Sequence, residues 1–386
     1  MSDIKITSGS HLQKDITDII TKQDTVGGHG VNGNLIPGNG GRLLYVDGIR
    51  ALAIVGVVAI HVTSPVLRNI DRSDSGWWVG LVCSVAVRIA VPLFVIISGL
   101  LLLDPEKDEP LRVFFKKRLL RVVVPFIAWA VAYLVWITIV NERRFDGVWA
   151  ARQIIEGPVY TQFWFIYMLL GLYLATPVLR VYTRHVSRAG LLYFLILWYI
   201  AVSVLPFIHD LTGISVGIAF AVTTGFTGYF VMGHYFRDFE VTRSAVIISL
   251  VIAVACFAIT LWLTAIAWVQ GKPDPERMML PLSLTVVPMA AAAFIILKSL
   301  DYRRFKMRFP RAWKLVRVIS GASFSIYLMH LIPLETLAYG SLGIRLNGTT
   351  LHPSIGIPLT TIVIVGFCVG VTVLIRKVPG MKWLFP

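Results

Sequence analysis

YVDGIRALAIVGVVAIHVTSP, residues 45–65, is apolar enough to cross a bilayer, yet it carries Arg50 near one end and His61 deep inside. A charged side chain at the bilayer centre costs at least roughly 2.5–3.5 kcal/mol on insertion scales, and an imidazole there needs a polar partner. The eleven-residue separation of Arg50 and His61 corresponds to roughly 16 Å along a helix axis and to about three turns plus roughly 20° around it. Both side chains therefore project from one face, Arg50 just inside the interface and His61 at or beyond the midplane, marking two depths of one polar channel. Asp47, one turn before Arg50, can pair with it or cap the helix start. Taken separately, Arg50 could snorkel to the headgroups and His61 could hydrogen-bond a neighbouring helix. Aligned on one otherwise apolar face, they require a shared polar environment.

The rest of the 386-residue chain has the same character. It is 56% hydrophobic and 15% charged, with a mean hydropathy of +0.75, far outside the range of soluble domains. The expectation is an all-α, polytopic integral membrane protein whose helices surround a polar cavity. The formal net charge is +15, but the basic residues fall in short loops between apolar segments, which excludes a soluble nucleic-acid binder. Cys83, Cys256 and Cys368 sit in separate apolar runs, with no CxxC and no histidine at ligand spacing. Neither a disulfide framework nor a zinc site is expected, and no metal is implied.

Residues 1–42, polar and then glycine-rich, read as a flexible cytoplasmic tail, and residues 43–386 as the membrane-embedded domain. The first apolar stretch has no small-residue cleavage site after a short core and reads as a retained span. Ten apolar candidates of about twenty residues are centred near Ala53, Val91, Ala132, Leu170, Ile196, Thr224, Ala255, Met289, Tyr327 and Val365. With the tail inside, alternate loops such as DYRRFKMRFPRAWKLVR hold about twenty Lys and Arg against about eight in the opposite set, so both termini are expected in the cytoplasm of a plasma-membrane protein. No internal repeat is evident, which argues against a paired-repeat transporter.

DGIRALAIVGVVAIH resembles the R-x10-H signature of the membrane acyltransferase 3 family, whose members move acyl groups, usually acetyl, from coenzyme A to sugars or other hydroxylated acceptors. Further stretches resemble the family's elements in order. They are RIAVPLFVIISGLLL with Ser98 and Gly99, FFKKRLLR with the R-x-x-R pair Arg118 and Arg121, FWFIYMLLGLYLATPVLR with Trp164, Tyr167, Thr176 and Pro177, and SFSIYLMHLIP with Ser323, Tyr327 and His330. The wording is most similar to the surface-polysaccharide O-acetyltransferase branch, which includes the enterobacterial common antigen enzyme. Residues 1–40 carry no counterpart.

The resemblance implies an acetyl-CoA-dependent O-acyltransferase acting on a cell-surface polysaccharide or lipid-linked glycan. A hydroxyl attacking a thioester must lose a proton, and histidine, with its pKa near neutrality, suits that task. His61 is expected to be the general base, or else a nucleophile that carries the acyl group transiently, with Arg50 and Asp47 completing the catalytic group. Ser98, Trp164 and Tyr167 are candidate oxyanion donors. Arg118 and Arg121, spaced i, i+3, suit the phosphates of coenzyme A, with Arg50 and Ser98 deeper in the channel. Without the resemblance, Arg118 and Arg121 read as a basic collar on anionic lipid.

Arg88, mid-span, is expected to face the polar interior, meeting a carboxylate or the acceptor. Tyr327 and His330, one turn apart, either line the cavity or pack in the core. Trp164 and Tyr167 stack on a sugar or form part of an interfacial aromatic belt. His185, His209 and His234, at loop edges, are expected to be solvated. A proton-coupled transporter or exporter is the rival class, but it requires a titrating acid in the membrane, and Asp and Glu here are nearly confined to loops.

Overall fold

The computed structural model describes residues 43–106, 109–140, 146–215 and 225–385, and these are helical, without a sheet. The tail of residues 1–42 and the expected span centre at Thr224 lie outside the described residues. Helix α1 (Leu44–Asn69) is followed by α2 (Ser75–Val87) and α3 (Ala90–Leu102), two halves of one span broken at Arg88 and Ile89. Helix α4 (Leu111–Arg118) runs through a π-helical turn, Leu119–Val123, into α5 (Val124–Val140). Helix α6 (Gly147–Glu156) leads to α7 (Trp164–His185). Helix α8 (Arg188–Tyr199) passes through a second π-helical turn, Ile200–Val204, into α9 (Leu205–Thr212). Then come α10 (Thr227–Tyr235), α11 (Arg243–Val269), α12 (Val286–Ser299), α13 (Tyr302–Arg308), α14 (Pro310–Met329), α15 (Leu331–Tyr339) and α16 (Pro353–Ile375).

Helix α1 is the central element, with α2, α3, α14 and α16 packed on it. Buried side chains lie on every side of it, from Leu44 and Ile49 to Val66 and Leu67, as expected of a helix apolar all round. Polar side chains mark several helix starts: Asp74 accepts from Gly76 N, Ser187 from Gly190 N and Thr242 from Ala245 N, the usual way of satisfying first-turn N–H groups.

Seven stretches of the described residues are long and apolar enough to cross a membrane, and the pair α14 and α15, bent by 60°, makes an eighth. The ten-span expectation thus finds eight counterparts. The candidate at Met289 is α12, an apolar helix of 14 residues, shorter than a bilayer requires.

Close backbone approach joins α3 to α10. A Cβ added at Gly99 would run into the Phe230 carbonyl, and one added at Gly233 would meet the backbone of Ile96 and Leu100, so the two helices touch through positions where only glycine fits. Charges hold the ends of this pair. Arg237 Nη1 lies 2.5 Å from Asp104 Oδ1, and buried Lys298 donates to the carbonyls of Phe236, Arg237 and Phe239 at 2.7, 2.9 and 3.0 Å. The ammonium group thus serves the carbonyls of the turn that directly follows α10. His234 belongs to this seam too. The expectation of a solvated loop-edge histidine fails, because it lies in α10 and is 9% exposed. Since neither backbone can retreat, Gly99→Val is expected to destabilise the protein by about 1–3 kcal/mol, read as a lower thermal midpoint in detergent, whereas Gly321→Ala, where an added Cβ meets nothing within 4 Å, should leave the midpoint unchanged.

Candidate active site

His61 and His330 meet inside the bundle. Their ring centroids are 5.0 Å apart at an interplanar angle of 50°, His61 half-buried on α1 and His330 fully buried at the junction of α14 and α15. The junction follows from sequence. Pro333 has no N–H to offer the Met329 carbonyl and its ring crowds that carbonyl, so the helix breaks there. His330 Nδ1 caps the broken turn, 3.1 Å from Ile326 O and 2.9 Å from Tyr327 O. Tyr327, one turn earlier, turns its ring toward His330 at 6.2 Å and Phe165 at 5.4 Å, while its hydroxyl donates to the Gln162 carbonyl.

A basic group collects toward the N-terminal end of α1. Arg118 lies over the Tyr173 and Phe114 rings at 5.7 and 5.3 Å, and Arg50 lies in the N-terminal half of α1. Arg180 covers Phe114 at 4.9 Å and donates to Leu102 O at 2.7 Å. Among the described residues Arg118 Nε and Arg180 Nη2 are buried without a hydrogen-bond partner. Glu109 approaches from the loop, 2.6 Å from Lys117 and 4.0 Å from Arg180. Burial opposes its ionisation, but the Lys117 hydrogen bond and the charges of Lys117, Arg118 and Arg180 hold its carboxyl below the ordinary carboxylate range.

Arg121 stands apart from this group. The π-helical turn that begins directly after Arg118 widens the spacing, and Arg121 is exposed where Arg118 is half-buried. Asp47 is buried in the first turn of α1 and accepts a hydrogen bond of 3.0 Å from Ser320 on α14, tying these two helices together.

At the other end of α1, Arg88 occupies the break between α2 and α3. Its Nη2 is 3.0 Å from Glu276 Oε2 and 3.2 Å from Ser84 Oγ, and Arg68 holds the second oxygen of Glu276 at 3.2 Å. The Arg88 and Glu276 side chains are only 11% and 16% exposed. The carboxylate expected for Arg88 is therefore Glu276, 188 residues away.

Of the candidate oxyanion donors, Ser98 Oγ donates to Phe94 O at 2.8 Å and the Tyr167 hydroxyl to Ile154 O at 2.5 Å. The Trp164 indole, packed on Phe226 at 5.5 Å, stays uncommitted among the described residues. Sequence reasoning missed two polar groups near these positions. Glu335 accepts from the Tyr160 hydroxyl at 2.6 Å and Trp136 Nε1 at 3.2 Å. The Gln162 amide is 2% exposed, with neither polar atom bonded among the described residues. The motif IYLMHLIPLE contains Glu335, and a carboxylate one turn beyond a proline-broken helix is the signal that was available. Among the described residues no group of three or more His, Cys, Asp and Glu side chains is placed to hold a metal ion.

An all-helical chain with seven or eight stretches long and apolar enough to cross a membrane is consistent with a polytopic membrane protein. The family model of the acyltransferase domain named for acyltransferase 3 matches residues 43–376, from α1 to the end of α16, and the chain belongs to that family. Acyl transfer is the activity that membership implies. No curated protein and no solved structure matches.

Removing one partner of a buried ion pair leaves an uncompensated charge, at a cost of about 3–5 kcal/mol. Glu276→Ala is therefore expected to lower the thermal midpoint in detergent strongly, and Arg88→Met with Glu276→Leu to recover much of the loss, as measured by the same thermal scan.

Proposed function

We propose that the protein takes acetyl-CoA from the cytoplasm and transfers its acetyl group to a hydroxyl of a cell-surface polysaccharide or lipid-linked glycan, acting as a plasma-membrane O-acetyltransferase. The observation that carries this reading is the 5.0 Å pairing of His61 with His330, with Arg50 in the N-terminal half of the same central helix that carries His61. Arg50 and His61 lie roughly 16 Å apart along α1, comparable to the reach of a pantetheine arm. In this reading the N-terminal end of α1 and both chain termini face the cytoplasm, as the distribution of Lys and Arg over the loops supports.

Arg118 and Arg50 hold the phosphates of coenzyme A, their planar forks suited to phosphate oxygens, with the buried Nε of Arg118 available for one such bond. The thioester reaches the level of His61. There the acceptor hydroxyl gives its proton to His61, its oxygen attacks the thioester carbon, the carbon–sulfur bond breaks, and the proton passes on to the departing sulfur. Trp164, Tyr167 and Tyr327 present aromatic faces to the acceptor, a sugar in this reading.

Two measurements test this reading. In purified protein in detergent, His61→Ala should lower acetyl-CoA turnover and glycan acetylation on the order of 10²- to 10⁴-fold with an unchanged thermal midpoint; full activity in that variant sinks the assignment. Because a hydrogen bond to a charged group contributes about 1.5–3 kcal/mol, Arg118→Ala should raise KM for acetyl-CoA roughly tenfold or more, and Arg121→Ala much less. Equal effects of the two substitutions would return both residues to a lipid-facing collar.

A further inference from the structure

The two imidazoles differ in what their surroundings leave free. His330 Nδ1 faces two carbonyls, Ile326 O and Tyr327 O, and carbonyls only accept, so the ring hydrogen resides on Nδ1 and Nε2 carries a lone pair. That Nε2 is buried and has no hydrogen-bond partner among the described residues. A buried acceptor left unmet costs about 1–3 kcal/mol, and the ring beside it is that of His61. At a centroid separation of 5.0 Å, a small rotation of His61 about its side-chain bonds brings one of its nitrogens within the roughly 3 Å of a hydrogen bond.

We infer that His330 is a positioning residue whose Nε2 accepts the N–H of His61, which fixes the His61 tautomer and aims its other nitrogen at the reacting hydroxyl. This rests on the acyl-transfer reading of His61. The chain of contacts runs from the Ile326 and Tyr327 carbonyls through His330 to His61 and then to the acceptor, a serial arrangement in which an anchored group orients the base and steadies its imidazolium. The proton taken from the hydroxyl stays on His61 and leaves with the sulfur as the coenzyme A thiol. His330 keeps its own Nδ1 hydrogen throughout, so it ends each turnover unchanged. The bend between α14 and α15 is part of the device, because His330 sits at it and turns Nδ1 to the Ile326 and Tyr327 carbonyls, which hold its tautomer.

The test is atom-specific. In His330→Asn the amide can still serve the Ile326 and Tyr327 carbonyls but places nothing at the Nε2 position, whereas in His330→Gln the amide oxygen reaches that position. Thiol release from acetyl-CoA is measured with two acceptors: water, which needs a base, and hydroxylamine, which attacks as the neutral amine. His330→Asn should lower kcat with water on the order of 10²-fold, leave KM for acetyl-CoA within about twofold and hydroxylamine turnover within about fivefold, and His330→Gln should recover at least about tenfold of the loss.

Equal losses in the two variants, or proportionate losses with both acceptors, or wild-type activity in His330→Asn would each overturn the inference. If His330→Asn does not fold, His330→Gln alone decides: selective retention of hydroxylamine turnover supports the inference and equal loss with both acceptors refutes it. Failure of the underlying reading looks different, because then wild-type protein releases no thiol with either acceptor or His61→Ala keeps full rates.

Discussion

A nitrogen lone pair enclosed by apolar helices has to be met by a hydrogen, and inside this bundle that demand concentrates where α1 passes the break between α14 and α15. A proline four residues after Met329 denies its carbonyl a partner and bends the chain by 60°. At the bend the imidazole of His330 turns Nδ1 to the Ile326 and Tyr327 carbonyls, and its second nitrogen lies on the ring that meets His61. One backbone constraint thus places two titratable rings together deep in an apolar structure, and the proposed chemistry follows from which hydrogens they carry.

The basic side chains divide by whether protein groups already occupy them. Lys298 serves the carbonyls of the turn that directly follows α10, and Arg88 is held between Glu276 and Ser84; these cations pin that turn and a helix break, where a buried charge is tolerated because it is paired. Arg118 is steadied by stacking on Phe114 and Tyr173, and its Nε, like that of Arg88, is unpartnered among the described residues. Stacking orients a guanidinium while leaving its in-plane donors open, which suits a residue that binds an anionic ligand on the proposed reading.

Much of this was legible in order of physical range. The family resemblance, read from motifs between about Asp47 and Pro333, falls within residues 43–376 that the family model matches. Glu276 could not be assigned to Arg88, because a contact across 188 residues leaves no local trace. Arg118 and Arg121 were read as an α-helical pair, and the π-helical turn between them, which periodicity arithmetic does not anticipate, turns Arg121 outward and leaves Arg180 as the inward neighbour. His234 read as a loop residue because α10 is only nine residues long, and its burial depends on glycines in α3 and α10 that let the backbones touch. Span counting found α1 readily and failed at α12, whose 14 residues resemble a span in composition but not in length.

The most direct test of the account is a structure of the protein with a non-hydrolysable acetyl-CoA analogue. The account predicts phosphates against Arg118 and Arg50 and the carbon that replaces the thioester carbonyl within about 3.5 Å of the position an attacking oxygen takes beside His61. An analogue seated on the outer surface, with His61 and His330 closed off from it, would contradict the account.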